Sequence, residues 1–497
     1  MRKLMGAALA AVLVAALAVG CSDDGDDEAG GGEAPTTTDT TTTTEDEPAG
    51  TGACDPIDPA ACLLPWPNDR FTRADADTET GRRLDLPADG MPTSTAGVSI
   101  DPTEWNRSDG FAAASIAMTR VDDLDVEASG LAPVTDIGAS LEGDSSLVVL
   151  APDGGGDGGG RLAAWAELDA NAEDLEDQLL LINPAAALPE GQRVVVGLRG
   201  LVRTDGSEVE PSEAFASQLA EPDAAAEATF AALEAAGVER DELDVAWSFT
   251  VASAGSTAGR LQHMWQESAE ELDGGAPPFE VTSVVEQGGA TKVDGTIEMP
   301  KYLQGDGGPG SVLDNDDDPD GLPSADGTME APFTCLVPSG ASAADPSPSV
   351  IYGHGLLGSR DEVLGIGSLG AGVGLTFCAL DFIGMSTADV PAIVESFEDL
   401  SGFRTVPDRL QQGHLGFLLL GRLLASEDGF ATDPAFQDED GASILDPASV
   451  TFLGASQGGI LGGAPSSLTT DWQHVILAVP GMGYNLLLRR SIDFDEF

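Results

Sequence analysis

Between residues 145 and 200 short apolar runs alternate with turn residues. SSLVVL, RLAAWAEL, QLLLINP and RVVVGLRGL are separated by glycine, proline and aspartate. This spacing predicts a β meander, with PDGGGDGGG (152–160) as a hairpin loop between the first two strands. The period then lengthens. Residues 212–237 predict a helix interrupted at Pro222, and residues 256–273 a second helix. DVAWSFTVAS between them carries β-branched and aromatic residues and predicts a strand. The stretch DPIDPAACLLPWPNDRFT ahead of the runs is proline-punctuated and short on periodicity. Residues 55–340 therefore read as a β-rich N-terminal domain with helical insertions.

From residue 348 strands alternate with helices. PSVIYGHG predicts a strand opening onto a glycine turn, and LTFCALDF (375–382) a strand ending in Asp381. PDRLQQGHLGFLLLGRLLAS (407–426) predicts a helix with Pro407 at its first position and Asp408 in its first turn. SVTFLGAS is the next strand, QGGILGG the next helix start, and HVILAVPG (474–481) a further strand. Short strands alternating with helices predict a mostly parallel sheet, so residues 341–497 are expected to form an α/β domain.

The start of the chain is not expected to belong to either domain. MRKLMGAALAAVLVAALAVGC has a basic head, an apolar stretch too short for a membrane span, and then Cys21. Its AVGC ending resembles a bacterial lipoprotein processing site. Residues 1–20 are then a signal peptide, and Cys21 is the lipidated first residue of an exported protein anchored at the cell envelope surface. A soluble secretory signal with Cys21 incidental is the other reading. Residues 21–54 are acidic, Thr-rich and nearly free of large apolar side chains, which predicts a disordered tether.

Composition narrows the partners. With 85 acidic against 22 basic residues, a formal charge of −63, the chain has no basic tract to neutralise phosphates, which excludes nucleic acid. In an oxidising compartment Cys54, Cys62, Cys335 and Cys378 permit three pairings, and proximity along the chain favours Cys54–Cys62 and Cys335–Cys378. The histidines are scattered and no CxxC pair exists, so a zinc site is not expected. Asp316, Asp318, Asp320 and Gly321 open like a calcium loop, but its twelfth position is Gly327 in place of glutamate. A solvated acidic loop is the expectation, and no metal is assigned.

One serine stands apart. Gly454-Ala455-Ser456-Gln457-Gly458 matches G-x-S-x-G after an apolar run and before a helix start. A nucleophilic serine at a strained strand-to-helix turn needs small flanking residues so that strand and helix can approach. The competing account is a Gly/Ser loop in a chain with 62 glycines. About a hundred residues upstream, Tyr352-Gly353-His354-Gly355-Leu356 ends another apolar strand, as an oxyanion loop does. The expected donors to an oxyanion are the backbone amides of Gln457 and Leu356, with His354 and Gly355 shaping the turn.

Together these motifs resemble a secreted bacterial α/β-hydrolase family of lipase/esterase type. Its members carry a long N-terminal region often labelled the bacterial virulence-factor lipase N-terminal domain. The resemblance rests on LPWPNDRF (64–71), LDLP (84–87), NRSDGF (106–111), AWSFTVAS (246–253), PFTC (332–335), the His354-Gly355 turn, Asp381 and Ser456. It implies an α/β-hydrolase fold, incomplete in this chain, behind a β-rich N-terminal domain. It also implies a cofactor-free serine hydrolase on carboxylic esters, lipids and lysophospholipids among them. In that family the acid and histidine follow the serine. His474 comes too early, and Asp493 and Asp495 have no later strand, so the acid and general base are expected beyond Phe497. The alternatives are a base among His263, His354 and His414, or a non-catalytic surface lipoprotein that keeps a hydrolase scaffold.

Overall fold

The computed structural model describes residues 63–94, 97–153, 160–172, 178–315, 318 and 321–481. Cys21 with its signal and tether, the Cys54–Cys62 pairing, Asp316 and Asp320 of the acidic loop, and Asp493 and Asp495 lie outside the described residues.

The N-terminal unit opens with a short hairpin of β1 (Thr72–Ala74) and β2 (Arg82–Leu84). Six strands follow: β3 (Ala117–Arg120), β4 (Leu147–Leu150), β5 (Ala164–Leu168), β6 (Leu179–Pro184), β7 (Arg193–Arg199) and β8 (Leu243–Thr250). They do not form the expected meander. They divide into two three-stranded antiparallel sheets, β3-β6-β5 and β4-β7-β8. The glycine linker joins β4 to β5 across a single bridge, Leu150 to Arg161, after which the two strands part into different sheets. Burial explains the split. Every residue of β4 is buried, as a strand covered on both faces must be, whereas β5 alternates buried and half-buried positions.

The front motifs meet in space. The Asp69 carboxylate accepts from the Thr250 amide at 2.8 Å and its hydroxyl at 3.0 Å. Asp109 accepts from the Ser253 amide at 2.9 Å. Trp66, Phe111 and Phe249 stack edge to face behind them. The helical stretch breaks where proline predicts, into α1 (Glu213–Ala220) and α2 (Ala224–Ala235), each with its own side-chain N-cap, Ser212 and Asp223. Helix α3 (Ala254–Glu271) is capped by Ser253.

The C-terminal unit is built on one seven-stranded sheet, in the order β9-β10-β11-β13-β12-β14-β15. Its strands are β9 (Phe279–Gln287), β10 (Ala290–Pro300), β11 (Thr328–Pro338), β12 (Ser347–Gly353), β13 (Thr376–Leu380), β14 (Leu445–Ala455) and β15 (His474–Ala478). Strands β12 to β15 are parallel, and β9 to β11 join antiparallel. The sheet therefore runs through the expected boundary at 340/341. Residues 279–338, assigned from sequence to the N-terminal domain, pair into this sheet because buried Phe333, Cys335 and Leu336 of β11 register against β13. Cys335 and Cys378 are directly opposed there and disulfide-bonded.

Helices α4 (Val363–Ala371), α5 (Val390–Glu398) and α6 (Thr405–Ala425) cover the sheet. Helix α6 starts two residues earlier than expected, so Pro407 is its third residue, still within the turn where a missing N–H costs nothing. Its leucines and Phe417 fill the main C-terminal core with Phe382, Phe430 and Phe452. Parallel strands alternating with helices, and a serine turn directly after β14, make this unit an α/β-hydrolase fold behind a β-rich N-terminal region. Among the described residues no helix is long and apolar enough to cross a membrane.

Candidate active site

Ser456 sits between β14 and the short helix α7 (Gln457–Leu461) with φ 53° and ψ −119°. That is the left-handed side of backbone space, costly for a residue with a Cβ, and it is kept only where the surroundings enforce it. They do. A Cβ on Gly454 would lie 2.0 Å from the Gly458 carbonyl oxygen, and one on Gly458 would lie 2.2 Å from the Gly353 carbonyl oxygen. Both glycines are thus required by close backbone approach, which a loose Gly/Ser loop would not need. The Ser456 amide donates to the Ala478 carbonyl at 3.1 Å, tying the turn to β15, and the serine itself is exposed.

Parallel pairing of β12 with β14 sets Gly353 opposite Gly454, so the turn after β12 lies beside the serine turn. His354 is fully buried and bridges two strand ends. Its Nε2 accepts from the Phe382 amide at 2.8 Å, and its Nδ1 lies 2.9 Å from the Gly355 carbonyl, which fixes the Nδ1–H tautomer. The Gly355 amide donates to Glu362 at 3.0 Å, and the Tyr352 hydroxyl donates to the same carboxylate. Burial, followed by the Glu362 charge, pushes the Tyr352 phenol well above its usual range, so it stays a donor. Among the described residues the Leu356 and Gln457 amides have no acceptor, and both belong to the turns that flank Ser456. They suit a developing oxyanion.

The remaining sequence candidates are placed elsewhere. Asp381 is held by Arg360, from its amide and its guanidinium, each at 2.6 Å, and acts as a brace for the loop after β12. His263 lies on α3, 3.8 Å from Glu267. His414 is buried in α6 against Phe382. His474 opens β15, four residues from Ala478, so the strand rise puts it about 13 Å from the serine turn. Among the described residues no histidine or carboxylate hydrogen-bonds Ser456 Oγ, and no group of three or more His, Cys, Asp or Glu is arranged to hold a metal ion.

Sequence reasoning missed the residues that lock this site. The Gln457 carboxamide and the buried Asp389–Arg409 pair both fasten the loop after β13. Only one signal was present, a polar side chain following the serine in a segment that had to be buried, since buried amides are almost always paired.

No family model matches the chain, and no curated protein matches it. Among solved structures it is similar to acetyl xylan esterase 1 from Thermoanaerobacterium sp., with 14% identity over 48% of this chain and 64% of that one, and a TM-score of 0.29. A glucuronoyl esterase from Solibacter usitatus shares 13% identity over 40% of this chain and 51% of that one, with a TM-score of 0.24. A cold-adapted esterase from an Arctic intertidal metagenomic library shares 14% identity over 42% and 69%, with a TM-score of 0.24. The match spans about half to two thirds of the length of these structures.

Proposed function

We propose that this protein is a serine hydrolase acting on carboxylic esters. The observation that carries the proposal is the elbow: an exposed serine in a strained, glycine-enforced turn, beside two backbone amides that have no acceptor among the described residues. Ser456 Oγ would attack the acyl carbon and give its proton to a base. The Leu356 and Gln457 N–H groups would hold the oxyanion, the ester C–O bond would break, and the alcohol would leave with a proton. Water would then release the acid and restore the serine. None of the four histidines, as placed, takes the role of the base.

A serine-directed phosphonate tests this, because a hydroxyl is inert until a base accepts its proton. Selective labelling of Ser456, lost in Ser456→Ala together with ester hydrolysis, is expected. Ester turnover retained by the alanine variant would refute it. One observation favours a non-catalytic scaffold instead, the lack of an acid or histidine bonded to Ser456 among the described residues. An unlabelled Ser456 in folded protein would select that reading.

We propose further that the substrate class extends to lipid esters, as the family resemblance implies, and that Cys21 carries a lipid anchor at the envelope surface, a reading supported by the basic head, apolar stretch and cysteine at the start of the chain. Cys21→Ser is expected to move it from the membrane fraction to the soluble fraction. Unchanged membrane retention would refute the anchor.

A further inference from the structure

The side chain that follows the serine is almost wholly buried, and both ends of its carboxamide are in use. Gln457 is 2% exposed. Its Oε1 accepts the Leu357 N–H at 3.1 Å, and its Nε2 donates to the Met385 carbonyl at 2.8 Å. Leu357 has φ 49°, a left-handed conformation that a branched aliphatic residue keeps only under restraint. The Thr387 hydroxyl holds the other side of the same residue, donating to the Leu357 carbonyl at 2.8 Å.

Met385 is itself held by a rigid frame. One Asp389 oxygen accepts from the Gly384 amide, the Ser386 amide and the Ser386 hydroxyl, at 2.8, 3.1 and 2.6 Å. The other pairs with Arg409 of α6 at 2.8 Å, in an ion pair whose side chains are 3% and 6% exposed. A continuous set of contacts, buried up to Gln457, therefore runs from α6 through the loop after β13 and the Gln457 carboxamide to the half-buried turn after β12.

We infer that Gln457 is a positioning residue acting through its side chain: it fixes Leu357 in its left-handed turn, so that the preceding Leu356 N–H and the Gln457 N–H converge beside Ser456. The catalytic consequence rests on the ester-hydrolase proposal, and the structural part stands on the contacts alone. Donors set before the reaction stabilise a developing oxyanion more than donors that must reorient during it. A leucine at 457 would strand both the Leu357 N–H and the Met385 carbonyl. A glutamate would accept from Leu357 but repel Met385.

The test compares Gln457→Leu and Gln457→Glu with the parent full-length chain. Hydrogen exchange is read in the peptide spanning residues 353–358, and phosphonate labelling is read at Ser456. In Gln457→Leu, exchange of that peptide should rise by about tenfold or more. Its limiting labelling rate should fall about 100-fold, with little change in the half-saturating probe concentration. Gln457→Glu should keep the exchange protection, and its carboxylate, opposing the negative charge that develops beside it, should make it label slowly at neutral pH. Unchanged exchange in the leucine variant overturns the positioning role, whether or not Ser456 labels. A parent chain that fails to label, with exchange responding as expected, overturns the hydrolase proposal and confines Gln457 to holding the turn. If the leucine variant does not fold, loss of the exchange protection of residues 353–358 in the glutamate variant, which keeps the acceptor for the Leu357 N–H, overturns the inference.

Discussion

His414 shows what a single buried ring costs. It lies on the inward face of α6, 6% exposed, edge-on to Phe382, and its Nδ1 has no partner among the described residues. Burial pushes its pKa down to about 4, against about 6.5 when unfolded. Between these values the unfolded chain binds the extra proton, so stability is full above about pH 6.5 and is lost as pH falls towards 4. The loss is on the order of 3 kcal/mol at most. Asp244 works with the opposite sign: burial raises it to about 6, so its contribution fades as pH rises through that value. The comparison must therefore be between variants. The melting temperature of His414→Leu relative to the parent should rise as pH falls from about 6.5 to about 4, and a difference that stays constant with pH would show that the ring does not titrate on unfolding.

Elements were legible where the constraint was local. Pro222 divides α1 from α2, and the glycines around Ser456 report a backbone approach confined to adjacent turns. The allocation of β9 to β11 was not legible. These strands belong to antiparallel ladders, and β9 alternates half-buried and exposed positions over its first half, as β5 alternates buried and half-buried ones. Such a pattern states that a strand has one wet face but not which sheet it joins. That was decided by β11 pairing with β13, across a crossover that sends β12 beyond it. The Gln457 carboxamide was hidden for a related reason, since its partners Leu357 and Met385 lie 100 and 72 residues away. Chain proximity did favour the Cys335–Cys378 pair, which closes a loop of 43 residues and in the chain-entropy account stabilises the fold by about 4 kcal/mol.

At the scale of the molecule, two separate cores meet across a polar junction. Glu104 of the N-terminal unit pairs with Arg404 at the start of α6 and with Arg107 of its own unit. The Ser94 hydroxyl donates to the Glu398 carbonyl, and the Ser401 hydroxyl accepts from the Asp101 amide, each at 2.8 Å. The Glu104, Arg404 and Arg107 side chains are partly exposed, so their charges are screened by salt. Glu104→Gln should lower the melting temperature by a few degrees at low ionic strength, and calorimetry in concentrated NaCl should show that gap closing. A gap indifferent to salt would mean that the junction is held by packing alone. The disulfide has a further consequence on this scale. Strand β12, the His354–Leu357 turn and α4 all lie between Cys335 and Cys378, so they occupy a closed covalent ring. A protease that cuts the chain once between the His354–Leu357 turn and Cys378 releases no fragment while the sulfurs stay joined: the nicked molecule remains one piece, and only a reductant separates the part bearing that turn from the part bearing Ser456.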